Sequence, residues 1–154
     1  MTGADRFWAD WTPVTGQQHG HGFDNIGNRS SAQVGSVGSV ATVSYGVNGL
    51  NEYTNIVTPG SKDILGDAIA TNSVSVNGGL ADCNNEYFHK AITVANSGGP
   101  LWQEVTNIAG AATNIGGLAF PGKSASLTYD ADGNLTFDGI WTYSWDAENR
   151  LTEM

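Results

Sequence analysis

Residues 128–154 read TYDADGNLTFDGIWTYSWDAENRLTEM, and one eight-residue phrase occurs in them twice. Tyr129-Asp130-Ala131-Asp132-Gly133-Asn134-Leu135-Thr136 is followed by Trp145-Asp146-Ala147-Glu148-Asn149-Arg150-Leu151-Thr152. A third copy aligns without gaps far upstream, Phe23-Asp24-Asn25-Ile26-Gly27-Asn28-Arg29-Ser30, and Tyr45-Gly46-Val47-Asn48-Gly49-Leu50-Asn51 reads as a degenerate fourth that lacks the Asp. Internal repetition of this kind constrains a fold more than local propensity does. Each phrase predicts the turn of a β-hairpin. The Asp carboxylate accepts hydrogen bonds from backbone N–H groups just ahead of it, and Gly or Asn in the fifth place tolerates positive φ. The aromatic closes one strand, and Leu-Thr or Arg-Ser opens the next.

The flanking segments alternate as strands do. Ser126-Leu127-Thr128-Tyr129 precedes one turn and Ile140-Trp141-Thr142-Tyr143-Ser144-Trp145 the next, with Trp141, Tyr143 and Trp145 expected on one face. Between the repeats lie short β-type runs at Ser73–Val76, Lys90–Val94 and Trp102–Ile108. Asn77-Gly78-Gly79, Asn96 to Pro100 and Gly116-Gly117 punctuate them as turn or loop signals. Only Ile64–Ala70 could pass for a helical turn, and Gly66 weakens it. The expected fold is all-β: antiparallel repeat hairpins in residues 1–53 and 123–154, with a small β-sandwich-like module in residues 54–122.

The 154 residues hold 6 Lys+Arg against 15 Asp+Glu, a net charge of −9, and no basic cluster interleaved with aromatics, which argues against nucleic-acid binding. The single Cys83 cannot close an internal disulfide and reads as a small packed side chain. No apolar stretch approaches the ~18 residues of a membrane span. The opening MTGADRFWADW lacks the basic and apolar regions of a secretion signal, so any export signal is expected on sequence outside these residues.

The three aromatic-Asp phrases resemble the YD repeat of the Rhs family, which includes bacterial polymorphic toxins, shell components of insecticidal toxin complexes, and the teneurins. Gly49-Leu50-Asn51-Glu52-Tyr53-Thr54 is similar to the stretch that commonly follows a repeat. The middle block, with Val74-Ser75-Val76-Asn77-Gly78 and Glu86-Tyr87-Phe88, is similar to immunoglobulin-like or carbohydrate-binding-like inserts. The resemblance implies hairpins that wind into a spiralling sheet and act as scaffold, outside the cell or on its surface. No Asp-Pro-x-Gly segment of the family's self-cleavage type is present.

The repeat-turn residues are therefore Phe23, Asp24, Gly27 and Asn28; Tyr129, Asp130, Gly133 and Asn134; and Trp145, Asp146, Asn149 and Arg150, each with a structural role. Asp130, Asp132, Asn134 and Asp138 have the 1, 3, 5, 9 spacing of a calcium loop. However, Leu135 and Trp141 stand where an EF-hand needs Gly and a bidentate Glu, so no cofactor is expected. His19-Gly20-His21 lacks a third ligand near in sequence and reads as a surface loop. Asn28-Arg29-Ser30 and Asn134-Leu135-Thr136 are formal glycosylation sequons that follow from the repeat's own ending. No nucleophile elbow, zinc-protease helix or phosphate loop occurs, and no catalytic residue or enzyme activity is expected.

Leu151, Thr152, Glu153 and Met154 read as the beginning of a strand whose hairpin partner is absent, which leaves an open sheet edge, and an open edge pairs with something. The expected partners are further copies of this chain, added head to tail into a filament, or flanking repeats of a longer chain. The rival expectation is a surface carbohydrate-binding module, in which exposed indoles, Trp102 or Trp141, stack on a polysaccharide.

Overall fold

The computed structural model describes residues 2–154. It is all-β and antiparallel, as the alternation implies. The chain begins as a meander of β1 (Thr2–Phe7), β2 (Pro13–Phe23), β3 (Arg29–Ser36), β4 (Ser39–Val47) and β5 (Tyr53–Val57), each strand paired with the next. Next come β6 (Ser61–Asp67), β7 (Val74–Val76), β8 (Gly79–Leu80), β9 (Asp82–Asn84), β10 (Tyr87–Thr93), β11 (Leu101–Ala109) and β12 (Ala112–Phe120). Then β13 (Ser124–Ser126) returns beside β5, with Ser124 opposite Val57 and Ser126 opposite Asn55. Residues 58–123 are thus inserted at the tip of a single hairpin.

The insertion is a sandwich of two sheets, β6-β10-β9 and β12-β11-β7-β8. Its core is Val74, Val76, Phe88 and Val105, with Ile64, Ile92 and Leu118 packed around them. In β7 the two inward valines flank an outward-facing Ser75, the alternation a half-buried strand requires. Asn77 and Gly78 both take positive φ, 49° and 77°, and close the β7–β8 hairpin in two residues. At Gly66 a Cβ would lie 2.7 Å from the Phe88 ring, so the glycine makes room for that ring.

Asn96 closes the neck of the insertion. Only 4% exposed, its Nδ2 donates to Thr58 O (3.2 Å) and Pro121 O (3.0 Å), one carbonyl on each of the two segments that connect the insertion to the meander. Its own carbonyl accepts from Lys123 N at 2.9 Å. The meander packs on the sandwich through β2. Tyr87 Oη donates to Thr15 O, and Trp8 meets the Tyr87 ring edge to face at 5.6 Å. A Cβ at Gly16 would fall 2.5 Å from the His89 ring. His89 Nε2 in turn lies 2.7 Å from Asp63 Oδ1, and both side chains are largely buried.

Beyond β13 the meander resumes as β14 (Thr128–Tyr129), β15 (Leu135–Phe137), β16 (Ser144–Trp145) and β17 (Leu151–Glu153). Leu127 N donates to Thr54 O at 3.0 Å, tying this part to β5. The Phe137–Thr142 bridge and the bond from Trp145 Nε1 to Leu135 O (2.7 Å) join its two hairpins.

Several expectations differ from what forms. Ile64–Asp67 is the end of strand β6, not a helical turn, because β10 pairs with it residue for residue. Gly116-Gly117 lies within β12, opposite Val105 and Glu104, and the Trp102 indole covers Gly117. His19-Gly20-His21 is interior to β2 rather than in a loop, with β1 and β3 paired on either side. The expected strand at Ile140–Trp145 is shortened because Asp138 caps a turn through Ile140 and Trp141. Residues 54–57, expected in the middle module, belong to β5 and the flanking sheet.

Candidate functional site

Four turns of one design lie at the same end of the meander, at Asp24, Asn48, Asp130 and Asp146. In each, the N–H of that residue donates to the carbonyl four positions on, Asn28, Glu52, Asn134 or Arg150, at 2.9–3.0 Å. The side-chain Oδ1 then accepts two backbone N–H groups, those two and four positions ahead. At Asp130 these are Asp132 N at 3.0 Å and Asn134 N at 2.9 Å, and at Asp146 they are Glu148 N at 2.9 Å and Arg150 N at 3.0 Å. The residue three positions on carries positive φ: Gly27 96°, Asn51 65°, Gly133 83° and Asn149 59°. Gly and Asn are the residues that enter this region at least cost.

The degenerate fourth phrase is offset by two from the register read in the sequence. Asn48, not Gly46, occupies the Asp position, and Val47 replaces the aromatic. Asn48 Oδ1 takes Leu50 N at 2.9 Å and Glu52 N at 3.0 Å. The second side-chain bond reverses polarity there. Asn28 and Asn134 donate to Asp24 and Asp130 Oδ2 at 2.9 and 3.1 Å, whereas Asn48 Nδ2 donates to Glu52 Oε2 at 2.7 Å. Arg150 Nε fills the donor role toward Asp146 at 2.8 Å. One acceptor and one donor, four residues apart, is the constant. That spacing was the signal available in the sequence, and alignment on the aromatic obscured it.

The turns also touch in order. Asn28 Nδ2 reaches Asn51 Oδ1 of the second turn at 3.3 Å. A Cβ at Gly133, in the third, would stand 3.5 Å from Glu52 Oε1 of the second. Asn134 Nδ2 donates to Asn149 Oδ1 of the fourth at 2.8 Å. The fourth-on side chain of each turn therefore faces the positive-φ residue of the next. Tyr53 Oη accepts from Arg29 N at 3.0 Å, and Tyr129 Oη donates to Tyr53 O at 2.9 Å, bracing the same ladder behind the turns.

The carboxylates are hydrogen-bond acceptors, and their titration follows from that. The Asn28 amide holds the Asp24 carboxyl below the usual Asp range. The backbone N–H of Asn134 does so for Asp130, and that of Arg150, followed by its side chain, for Asp146. At Asp138 burial pushes the carboxyl up, but bonds from Trp141 N and Tyr143 Oη outweigh it and leave it lowered. Asp130 and Asp138, two members of the calcium-like spacing, direct their oxygens to separate turns. Among the described residues no cluster of three or more His, Cys, Asp or Glu side chains is placed to hold a metal ion.

At the end of the ladder, Arg150 is 72% exposed, with Nη2 on Glu148 Oε2 at 2.9 Å. Leu151, Thr152 and Glu153 form the second strand of a hairpin with β16, and all are exposed. The partner missing from the sequence reading is thus β16, and the edge without a neighbour among the described residues is the other one. Trp141 is exposed beside the Asp138 turn, and Trp102 lies on the outer face of the β11–β12 hairpin; nothing brings the two together. Trp8–Thr12 repeats the backbone course of the turns, with Trp8 N bonded to Thr12 O and Trp11 at φ 67°, but with an indole where the cap would be. No protein-family model, curated protein or solved structure matches this chain.

Proposed function

We propose that this chain is a non-catalytic structural β-protein of the YD-repeat type, a subunit of an extracellular or cell-surface assembly that grows by strand addition. The observation that carries the reading is the turn ladder, in which each turn's fourth-on side chain is met by the next turn. Such a contact is open-ended: Arg150 and the free edge of β17 offer the same surface to one more hairpin. At the other end β1 is exposed along its whole length, so addition of β1 of one copy to β17 of another joins two different surfaces and propagates as a filament. In a longer chain the next repeat occupies the same edge. Electron microscopy and light scattering of the purified chain test this. Filaments are expected, and Leu151→Lys with Met154→Lys, which places two cations on the edge, should return single chains. A folded 16.1 kDa monomer at all concentrations would overturn it.

A second reading, a carbohydrate-binding module, is favoured by Trp102. It is 71% exposed and lies over Gly117 on the outer sandwich face, as a stacking platform does. Polysaccharide retention that disappears in Trp102→Ala would support it.

A further inference from the structure

Strand β4 is only half paired on its β5 side. β3 accompanies it from Ser31 opposite Ser44 to Ser36 opposite Ser39, whereas β5 reaches no further than Val57 opposite Ser44. In that register Pro59 would stand opposite Thr42, and proline has no N–H to give the ladder. The chain leaves for the insertion instead, and Thr58 N donates to Lys123 O at 2.9 Å. Among the described residues nothing pairs with this side of β4 from Ser39 to Val43.

The β3–β4 hairpin decides which groups are left over. Its loop is two residues long, so Ser36 and Ser39 are a hydrogen-bonded pair, and Ala41 and Val43 likewise spend their backbone groups on β3. Val40 and Thr42 aim N–H and C=O at the empty side, in the same series as Ser44, which meets β5. A cleft of about 420 Å³, lined by Val40 and Thr42, runs along this edge. That volume falls within the ~300–1,000 Å³ of sites that hold small ligands. Across it stand Ser61 and Asp63 of β6 with His89 and Ala91 of β10, all on one face of their sheet. Asp63 is the one carboxylate lining the cleft, and no Lys or Arg lines it. Its side chain is 13% exposed, with Oδ1 2.7 Å from His89 Nε2. Its Oδ2 makes no hydrogen bond, and no Lys or Arg pairs with it, among the described residues.

We propose that the Val40–Thr42 edge takes up a short extended segment of another protein, one that carries a Lys or Arg toward Asp63. The guest continues the line that β5 abandons, its backbone bonded to Val40 and Thr42 and every second side chain directed into the cleft. A basic side chain finds apolar surface there for its stem, from Ala41 and Ala91, and a carboxylate for its head. The net charge of −9 draws a basic segment and repels an acidic one. This edge is distinct from those of β1 and β17, so the proposal is independent of how the chain assembles.

The test titrates the full chain into fluorescein-labelled, end-blocked pentapeptides with Lys at the centre and Val, Thr or Ala elsewhere. Anisotropy reads binding, and hydrogen exchange followed by mass spectrometry reads the β4 amides, whether the chain is single or assembled. At least one Lys peptide should bind saturably and slow exchange at Val40 and Thr42. The same peptide with a central Glu should not bind. N-methylation at its second and fourth residues removes the donors that face Val40 and Thr42, and should abolish binding with the protein itself unaltered. Asp63→Asn should weaken the Lys peptide about tenfold, the loss of a hydrogen bond to a charged group. The proposal is overturned if no Lys peptide binds, if the methylated or the Glu peptide binds as well as the parent, or if a folded Asp63→Asn chain binds it unchanged. Protection that falls on β1 or β17 instead would also overturn it. So would protection of Val40 and Thr42 that rises with protein concentration in the absence of peptide, which assigns the edge to a second copy.

Discussion

Within each turn the physics is a two-residue lock. A carboxylate or amide oxygen gathers two backbone N–H groups, and its second atom pairs with the side chain four positions on, in either polarity. Asp130→Asn should therefore lower the thermal midpoint, because the new amide meets the Asn134 amide with no fixed acceptor. Adding Asn134→Glu rebuilds the Asn48–Glu52 arrangement, with Asn149 turning its amide toward the new carboxylate. Thermal unfolding of both single variants and the double variant should show recovery in the double, a coupling absent if the pair were only solvated surface. The same bonds set the pH dependence. Asp24, Asp130 and Asp146 have folded pKa values depressed below the usual 3.8. The stabilisation they contribute is thus fully present above 3.8 and lost as pH falls through the lower folded values. The unfolding midpoint should hold from neutrality to about pH 4 as far as these groups are concerned, then fall. Replacing all three by Asn should flatten that acid limb.

Among the elements, the hairpin turns were legible because every donor and acceptor of the cap lies within four residues of the Asp. The strands that carry glycine were not. Gly66 and Gly117 read as interruptions, yet each, like Gly16, sits in a strand where a ring from another strand fills the space a Cβ would take. That partner lies at a sequence distance no local pattern reports. Asn96 was read as part of a loop signal and is instead the buried clamp of the insertion. Asn96→Ala would leave Thr58 O and Pro121 O without a donor in a buried neck. The loss should be about 2–3 kcal/mol, read from urea unfolding, since each unpaired buried carbonyl costs roughly 1–3 kcal/mol less whatever water recovers.

Across the chain as a whole, the β5–β13 pairing joins residues separated by the entire sandwich, while most other strand pairs are neighbours in sequence. The sandwich has its own core, but Tyr87 and His89 reach outward to β2. A fragment of residues 58–123 should therefore keep its strands by amide exchange but unfold at a lower midpoint than the full chain, because this face is uncovered and a core of this size is marginal. An equal midpoint would mean that the β2 contact contributes nothing. The repeat phrases, the all-β class and the turn positions were readable from residue order, because an Asx cap and a positive-φ glycine or asparagine are local demands of the backbone. The second turn's register, the strands through His19–His21 and Gly116-Gly117, and the Asn96 clamp came only with the folded chain. Each depends on which side chain from a distant strand fills a space or pairs a polar group, and such contacts exist only once the sheets have packed.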